Sequence, residues 1–186
     1  MTILQSRVGS DAYNTYGTLA DFSYNCITIL MEENEMVWKL LKHNNPDAWN
    51  ETNLSREAKA DLVYKGQQDA STSRVFLDIG QPDVLTEQIS ILRISPVSIV
   101  PRNRTVGIVS MMFEVYSHYK CNHLSSYQTR IDLICQNLLG IFNGREVGGI
   151  GKMFFDNMRS TDNKMTQGGV TPFRGKRLVL STNVSE

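Results

Sequence analysis

The 186-residue sequence has no excess of either charge: 19 Lys+Arg stand against 19 Asp+Glu. A protein whose main task is to grip phosphate backbones usually carries a basic excess, so the balance argues against nucleic acid as the main partner. No apolar run approaches the roughly 18–20 residues that cross a bilayer. The opening MTILQSRVGSDAYNTYG holds no apolar stretch of signal-peptide length. Both absences predict a protein made and kept in cytoplasm, with no membrane partner. The three cysteines, Cys26, Cys121 and Cys135, are odd in number and widely spaced, as expected of free thiols in a reducing compartment. No internal repeat is visible.

Motifs of chemistry are equally scarce. His118-x-x-Cys121-x-His123 puts three potential ligands within six residues, but no second cluster completes a metal-site pairing. There is no Gly-x-Ser-x-Gly, and the cysteines lie in apolar helical or turn contexts that favour a packed thiol. Gly148-Gly-Ile-Gly151-Lys152 lacks the spacing of a phosphate loop, and a strand follows it where a helix would be needed. We therefore expect no catalytic, cofactor or metal residues. A small cytoplasmic α+β enzyme using the scattered residues His118, Glu114 or Cys121 is the alternative from another class.

What is present is a pattern of elements. Residues 1–18 are polar and aperiodic, an arm; residues 19–186 read as one α+β domain. A helix is predicted from an Asp21 cap, with Phe22, Cys26 or Ile27, Leu30 and Met31 on one stripe. It either continues or restarts after Asn34, and it ends before Pro46. Residues 44–75 form a long excursion with a short helix capped by Ser55 over Arg56–Tyr64 and closed by Gly66. Strands are predicted at Arg74–Ile79, Glu87–Ser95 with a continuation through Val97–Val100, and Arg104–Lys120. The second and third make a long antiparallel hairpin. A helix follows over Ser126–Phe142, capped by Ser125 or Ser126. Its stripe is Tyr127, Ile131, Ile134, Leu138 and Ile141, and Asn143-Gly144 stops it. Strands at Lys152–Asp156 and Lys176–Thr182 complete the chain, with a polar turn at 157–172 between them. The prediction is an antiparallel sheet of about four to five strands covered by an N-terminal and a central amphipathic helix.

The strand RTVGIVSMMFEVYSHYK decides the functional reading. Val109, Met111 and Phe113 alternate toward the helices, while Ile108, Met112 and Tyr116 share a face too apolar to leave open and too polar for a dry core. A protein partner is the economical cover. Interface candidates are therefore Ile108, Met112 and Tyr116, with Arg102 and Arg104 in the adjoining turn. On this reading Met112→Glu blocks association and spares the fold.

The order of elements resembles tail-terminator and neck proteins of tailed bacteriophages. The likeness rests on the N-terminal helix, EQISILRISP, TVGIVSMMFEVYSHYK, the helix SYQTRIDLICQNLLGIFNG and the pair KMFFD…KRLVLSTNV. VWKLLKHNNPDAW and FNGREVGGIGKMFFDN are similar to neck-ring proteins of crAss-like phages. The resemblance covers roughly residues 20–183, and the excursion at 44–75 departs from a minimal terminator domain. It implies a non-enzymatic virion protein of the neck or tail, assembled in the host cytoplasm. Its partners would be its own copies in a hexameric or dodecameric ring and the portal or adaptor and tail proteins. Contact with channel DNA would be transient and non-specific. A tail-tube or tail-hub component shares the same element order.

Overall fold

The computed structural model describes residues 21–66, 71–77, 88–101, 106–148, 151–161 and 172–185. Among the described residues, four α-helices lie at Phe22–Glu33 (α1), Glu35–Lys42 (α2), Arg56–Asp61 (α3) and Arg130–Phe142 (α4). Five strands lie at Val75–Phe76 (β1), Ser90–Pro101 (β2), Val106–His118 (β3), Met153–Thr161 (β4) and Phe173–Ser185 (β5). They form one sheet in the order β1-β2-β3-β5-β4. The expected α+β class is observed, but the sheet is mixed, because β1 pairs with β2 in parallel. The connection from Phe76 to Ser90 is long enough for the crossover a parallel pair requires.

Asn34 settles the question of one helix or two. Its backbone is extended (φ −134°, ψ 107°), its N–H donates to Leu30 O, and its side chain accepts from Val37 N at 2.7 Å. One residue thus closes α1 and caps α2. Asp21 does not serve as the expected cap: it already has helical φ and ψ, and its side chain makes no capping bond. The last carbonyls of α1 find partners across the fold. Trp38 Nε1 donates to Leu30 O at 2.8 Å, and the buried Lys59 of α3 donates to Met31 O at 2.8 Å while pairing with Glu35. A cation at a helix C-terminus is where the helix dipole favours it.

The central helix starts later than expected. Thr129, not Ser125 or Ser126, is the N-cap and accepts from Asp132 N at 3.1 Å. Tyr127 has φ 63° and is fully exposed. That left-handed backbone excludes it from a helix and takes it off the buried stripe. Gly144 does supply the left-handed stop, at φ 81°. In the excursion, Ser55 caps α3 as expected and accepts from Ala58 N at 3.2 Å, and α3 ends at Asp61.

The hairpin of β2 and β3 pairs from Ser90↔Ser117 to Pro101↔Gly107, with an irregularity between Pro96 and Ser98 that absorbs the proline. The strand expected over Arg74–Ile79 is short, and residues 78–80 lie outside the described residues. β4 and β5 run well beyond Lys152–Asp156 and Lys176–Thr182. A bulge between Phe155 and Asn157 breaks the alternation of β4, so its second half does not read as a strand from sequence.

The core lies on one side of the sheet. Leu92, Ile94, Val109, Met111, Phe113, Val115, Leu178 and Leu180 pack with the buried stripe of α4 and the apolar faces of α1 and α2. The rings of Phe113 and Phe142 stack with centroids 5.1 Å apart. Cys26 and Cys135 belong to this core, and burial pushes each thiol up to about 12, which leaves them inert as nucleophiles.

Candidate interaction surface

The sheet's other face carries the alternate residues of β3. Register fixes their neighbours: Arg93 of β2 and Arg177 of β5 flank Glu114, and Arg159 of β4 lies opposite Arg177. A single row across four strands therefore reads Arg93, Glu114, Arg177, Arg159. Glu114 is only 5% exposed, and Arg177 donates Nε and Nη2 to its Oε1 at 3.0 and 2.8 Å. A buried carboxylate is retained only with such a partner. The Arg93 guanidinium carbon lies 5.9 Å from the centre of the Tyr116 ring, within cation–π range. Burial, reinforced by the Glu114 charge, pushes the Tyr116 phenol above its ordinary value.

Tyr116 also explains a glycine. A Cβ on Gly175, its register partner, would sit 2.6 Å from the Tyr116 ring and 2.3 Å from Thr161 Oγ1. Only glycine lets the ring lie flat on β5. Together with Phe76, Ile89, Ile91 and Phe173, and with Tyr64 against them, Tyr116 forms a small second apolar cluster.

This changes the standing of the sequence candidates. Ile108 is half-buried, but Met112 is 8% and Tyr116 7% exposed. The centre of the face is closed within one chain. Arg102 and Arg104 lie outside the described residues. Met112 stands between Ser95 and Val179 in register, two residues from Glu114. The expectation that Met112→Glu spares the fold therefore reverses. A second carboxylate buried there is expected to cost about 2–4 kcal/mol, read as an earlier urea unfolding midpoint. A midpoint equal to wild type would show the face to be open.

The open apolar side chains are elsewhere. Phe154, Phe155 and Met158 of β4 are 54%, 46% and 39% exposed, and Val97 and Val100 of β2 are 51% and 48% exposed. Sequence reasoning named none of these five residues as an interface candidate, and it ended the strand at Asp156, before Met158. The β4 backbone is nevertheless guarded. Met153 N donates to Arg145 O, Gly144 N to Met153 O, and Phe155 N to Asn143 Oδ1 at 2.9 Å. The bulge follows directly, and at the opposite margin Pro96 and its irregularity blunt β2. Such devices oppose strand addition, so these margins offer side chains to a partner more than they offer backbone.

The residues weighed for chemistry do not converge. His118 is buried against Tyr119 and Phe173, and its Nδ1 accepts from Lys120 N at 3.2 Å. Burial, with help from the Lys120 charge, holds its pKa below the usual histidine value. Cys121 Sγ lies among Ser117, Ser90 and the His118 carbonyl, while His123 is exposed. Among the described residues no group of three or more His, Cys, Asp or Glu could hold a metal ion, and no helix is long and apolar enough to cross a membrane.

Residues 34–181, from the Asn34 break through most of β5, match the model of the YomW family. The chain belongs to that family. YomW is a phage-like name, of a Bacillus phage-derived gene product, which points to a phage-associated protein. No curated protein matches the chain. The match in this YomW chain includes both sheet margins and the whole arginine–glutamate row, and omits α1.

Proposed function

We propose that this protein is a non-enzymatic structural component of the phage particle, a ring in the neck that joins portal or adaptor to tail around the DNA channel. The observation that carries the reading is the placement of exposed apolar side chains at two different margins of one sheet. Phe154, Phe155 and Met158 stand on β4, and Val97 and Val100 stand on the part of β2 that β1 does not pair. Two unlike patches on one subunit are what a head-to-tail contact needs, and such contacts close into rings when the rotation allows. Exposed apolar groups at an open margin are also what a partner would cover. The balanced net charge suits a channel part that lets DNA pass. The ring would be hexameric or dodecameric, located in the virion and assembled in host cytoplasm.

The test is the mass and image of the purified protein, alone and mixed with portal, adaptor and tail proteins of its own phage. A ring with a mass that is a multiple of six 21.0 kDa subunits is expected. A solitary 21.0 kDa species under all these conditions would rule the reading out.

A further inference from the structure

Two residues carry a conformational cost that nothing within the single chain offsets. Tyr127, at φ 63°, is the one non-glycine residue with positive φ among the described residues, and its ring is fully exposed. Such a turn position favours glycine or asparagine, and a bulky side chain there is an outlier. Gly140 stands inside α4, where glycine weakens a helix. A Cβ added to it would meet nothing within 4 Å, so no contact inside the chain demands glycine. Costly positions that the fold does not need point to function.

Gly140 lines an open hollow of about 400 Å³ beside the α1–α2 break, together with Asn34, Gln136, Asn137 and Ile141. The asparagine amides are engaged: Asn34 Nδ2 donates to Asn137 Oδ1 at 3.0 Å, and Asn137 Nδ2 to Leu133 O at 2.8 Å. The exposed Gln136 has no hydrogen-bond partner among the described residues. The hollow therefore offers a stretch of bare helix, one apolar side chain, one free amide and no charge. That is the complement of a phenol, with an apolar ring and a polar tip. We infer that Tyr127 of one copy seats in the Gly140 hollow of a second copy. Gly140 lies about 15 Å along α4 from Arg130, so the exposed Tyr127 does not fill the hollow of its own chain. Glycine removes the Cβ that would hold a ring away from the helix, and a desolvated tyrosine is a typical interface anchor. Each copy gives a tyrosine at one surface and takes one at another, as a head-to-tail contact requires. The inference rests on the reading that copies associate in this way, and it adds a contact in the helix layer to those at the sheet margins.

The experiment is sedimentation of the full chain carrying Tyr127→Ala or Gly140→Leu, separate and mixed. Each alone should weaken association about thirtyfold, the loss of one strong anchor. In the mixture, the intact Tyr127 of the glycine variant meets the intact hollow of the tyrosine variant, and part of the association returns. Stability should move the other way: Gly140→Leu is expected to raise the melting temperature by about 2–4 °C. A merely structural glycine would lower it. Should Gly140→Leu disturb the helix, Gly140→Ala carries the test with a smaller loss of association. Cross-linking reads the position. Tyr127→Cys in one sample and Gln136→Cys in another, mixed and joined by a short bis-maleimide, should give a dimer that neither gives alone, since Cys26, Cys121 and Cys135 are buried. Unchanged association in either variant, or no mixed cross-link, overturns the inference. So does lost binding to portal or tail proteins with copy–copy association intact, which gives the hollow to one of them. Rings that form despite both substitutions sink this inference alone, and cross-linked dimers that never close into a ring sink the ring alone.

Discussion

Replacing Arg130 with alanine is expected to remove about 4 kcal/mol of stability, enough to lower the melting temperature by about 8–16 °C. Arg130 is fully buried, yet it faces no carboxylate among its hydrogen-bond partners. Its Nε donates to Cys121 O at 2.8 Å. Nη1 donates to Leu40 O at 2.6 Å and His43 O at 2.5 Å, and Nη2 donates to Asn45 O at 2.8 Å. Four carbonyls from two distant segments thus meet one planar fork. Two of them belong to the last turn of α2 and its cap, the negative end of that helix. Burial lowers the Arg130 pKa from its usual value, which is the cost these carbonyls offset. Alanine leaves the buried Leu40 and Cys121 carbonyls dry and the part-buried His43 and Asn45 carbonyls without this donor, and each unsatisfied buried group costs about 1–3 kcal/mol. Lysine, a single-point donor on a flexible stem, is expected to recover only a minor part. Urea unfolding of the two variants checks this. An alanine variant within about 0.5 kcal/mol of wild type, the range of an ordinary surface change, would mean that water reaches these carbonyls.

Arg130 also shows where sequence reading stops. In the pattern of α4 it looks like a surface residue, one helical step before the apolar Ile131, and nothing in its neighbourhood names Leu40 or Asn45 as partners. Periodicity did locate what local physics controls: the α1 and α4 stripes, the β2–β3 hairpin, the Ser55 cap and the Gly144 stop. The break at Asn34 was visible as a possibility, because asparagine can end one helix and cap the next. What stayed hidden depends on contacts across the fold. The β1 pairing is parallel and two residues long, so it has no alternation to detect. The bulge in β4 shifts Met158 out of phase with Phe154 and conceals half the strand. The surface was misplaced for a related reason. Met112 and Glu114 look ambiguous in a single strand, but in register the glutamate finds Arg177 and the methionine is closed off.

The open margins carry the prediction with the largest effect on assembly. Phe155→Glu combined with Met158→Glu is expected to weaken association by roughly 100- to 1,000-fold, since two truncated anchors at about 2 kcal/mol each amount to that factor. Both side chains are well exposed in the single chain, at 46% and 39%. The unfolding free energy of the isolated subunit should therefore change by less than about 1 kcal/mol. Val97→Glu, at a residue 51% exposed on β2, should block the other side of the same contact. The decisive sample is a mixture. In a head-to-tail contact, the intact β2 margin of the β4 variant meets the intact β4 margin of the Val97 variant, once and only once, so dimers form and growth stops. A twofold contact through β4 alone would instead let the Val97 variant pair with itself and leave the β4 variant alone. Sedimentation of the two variants, separate and mixed, distinguishes the geometries. Rings that survive both substitutions would move the subunit contact away from these margins altogether.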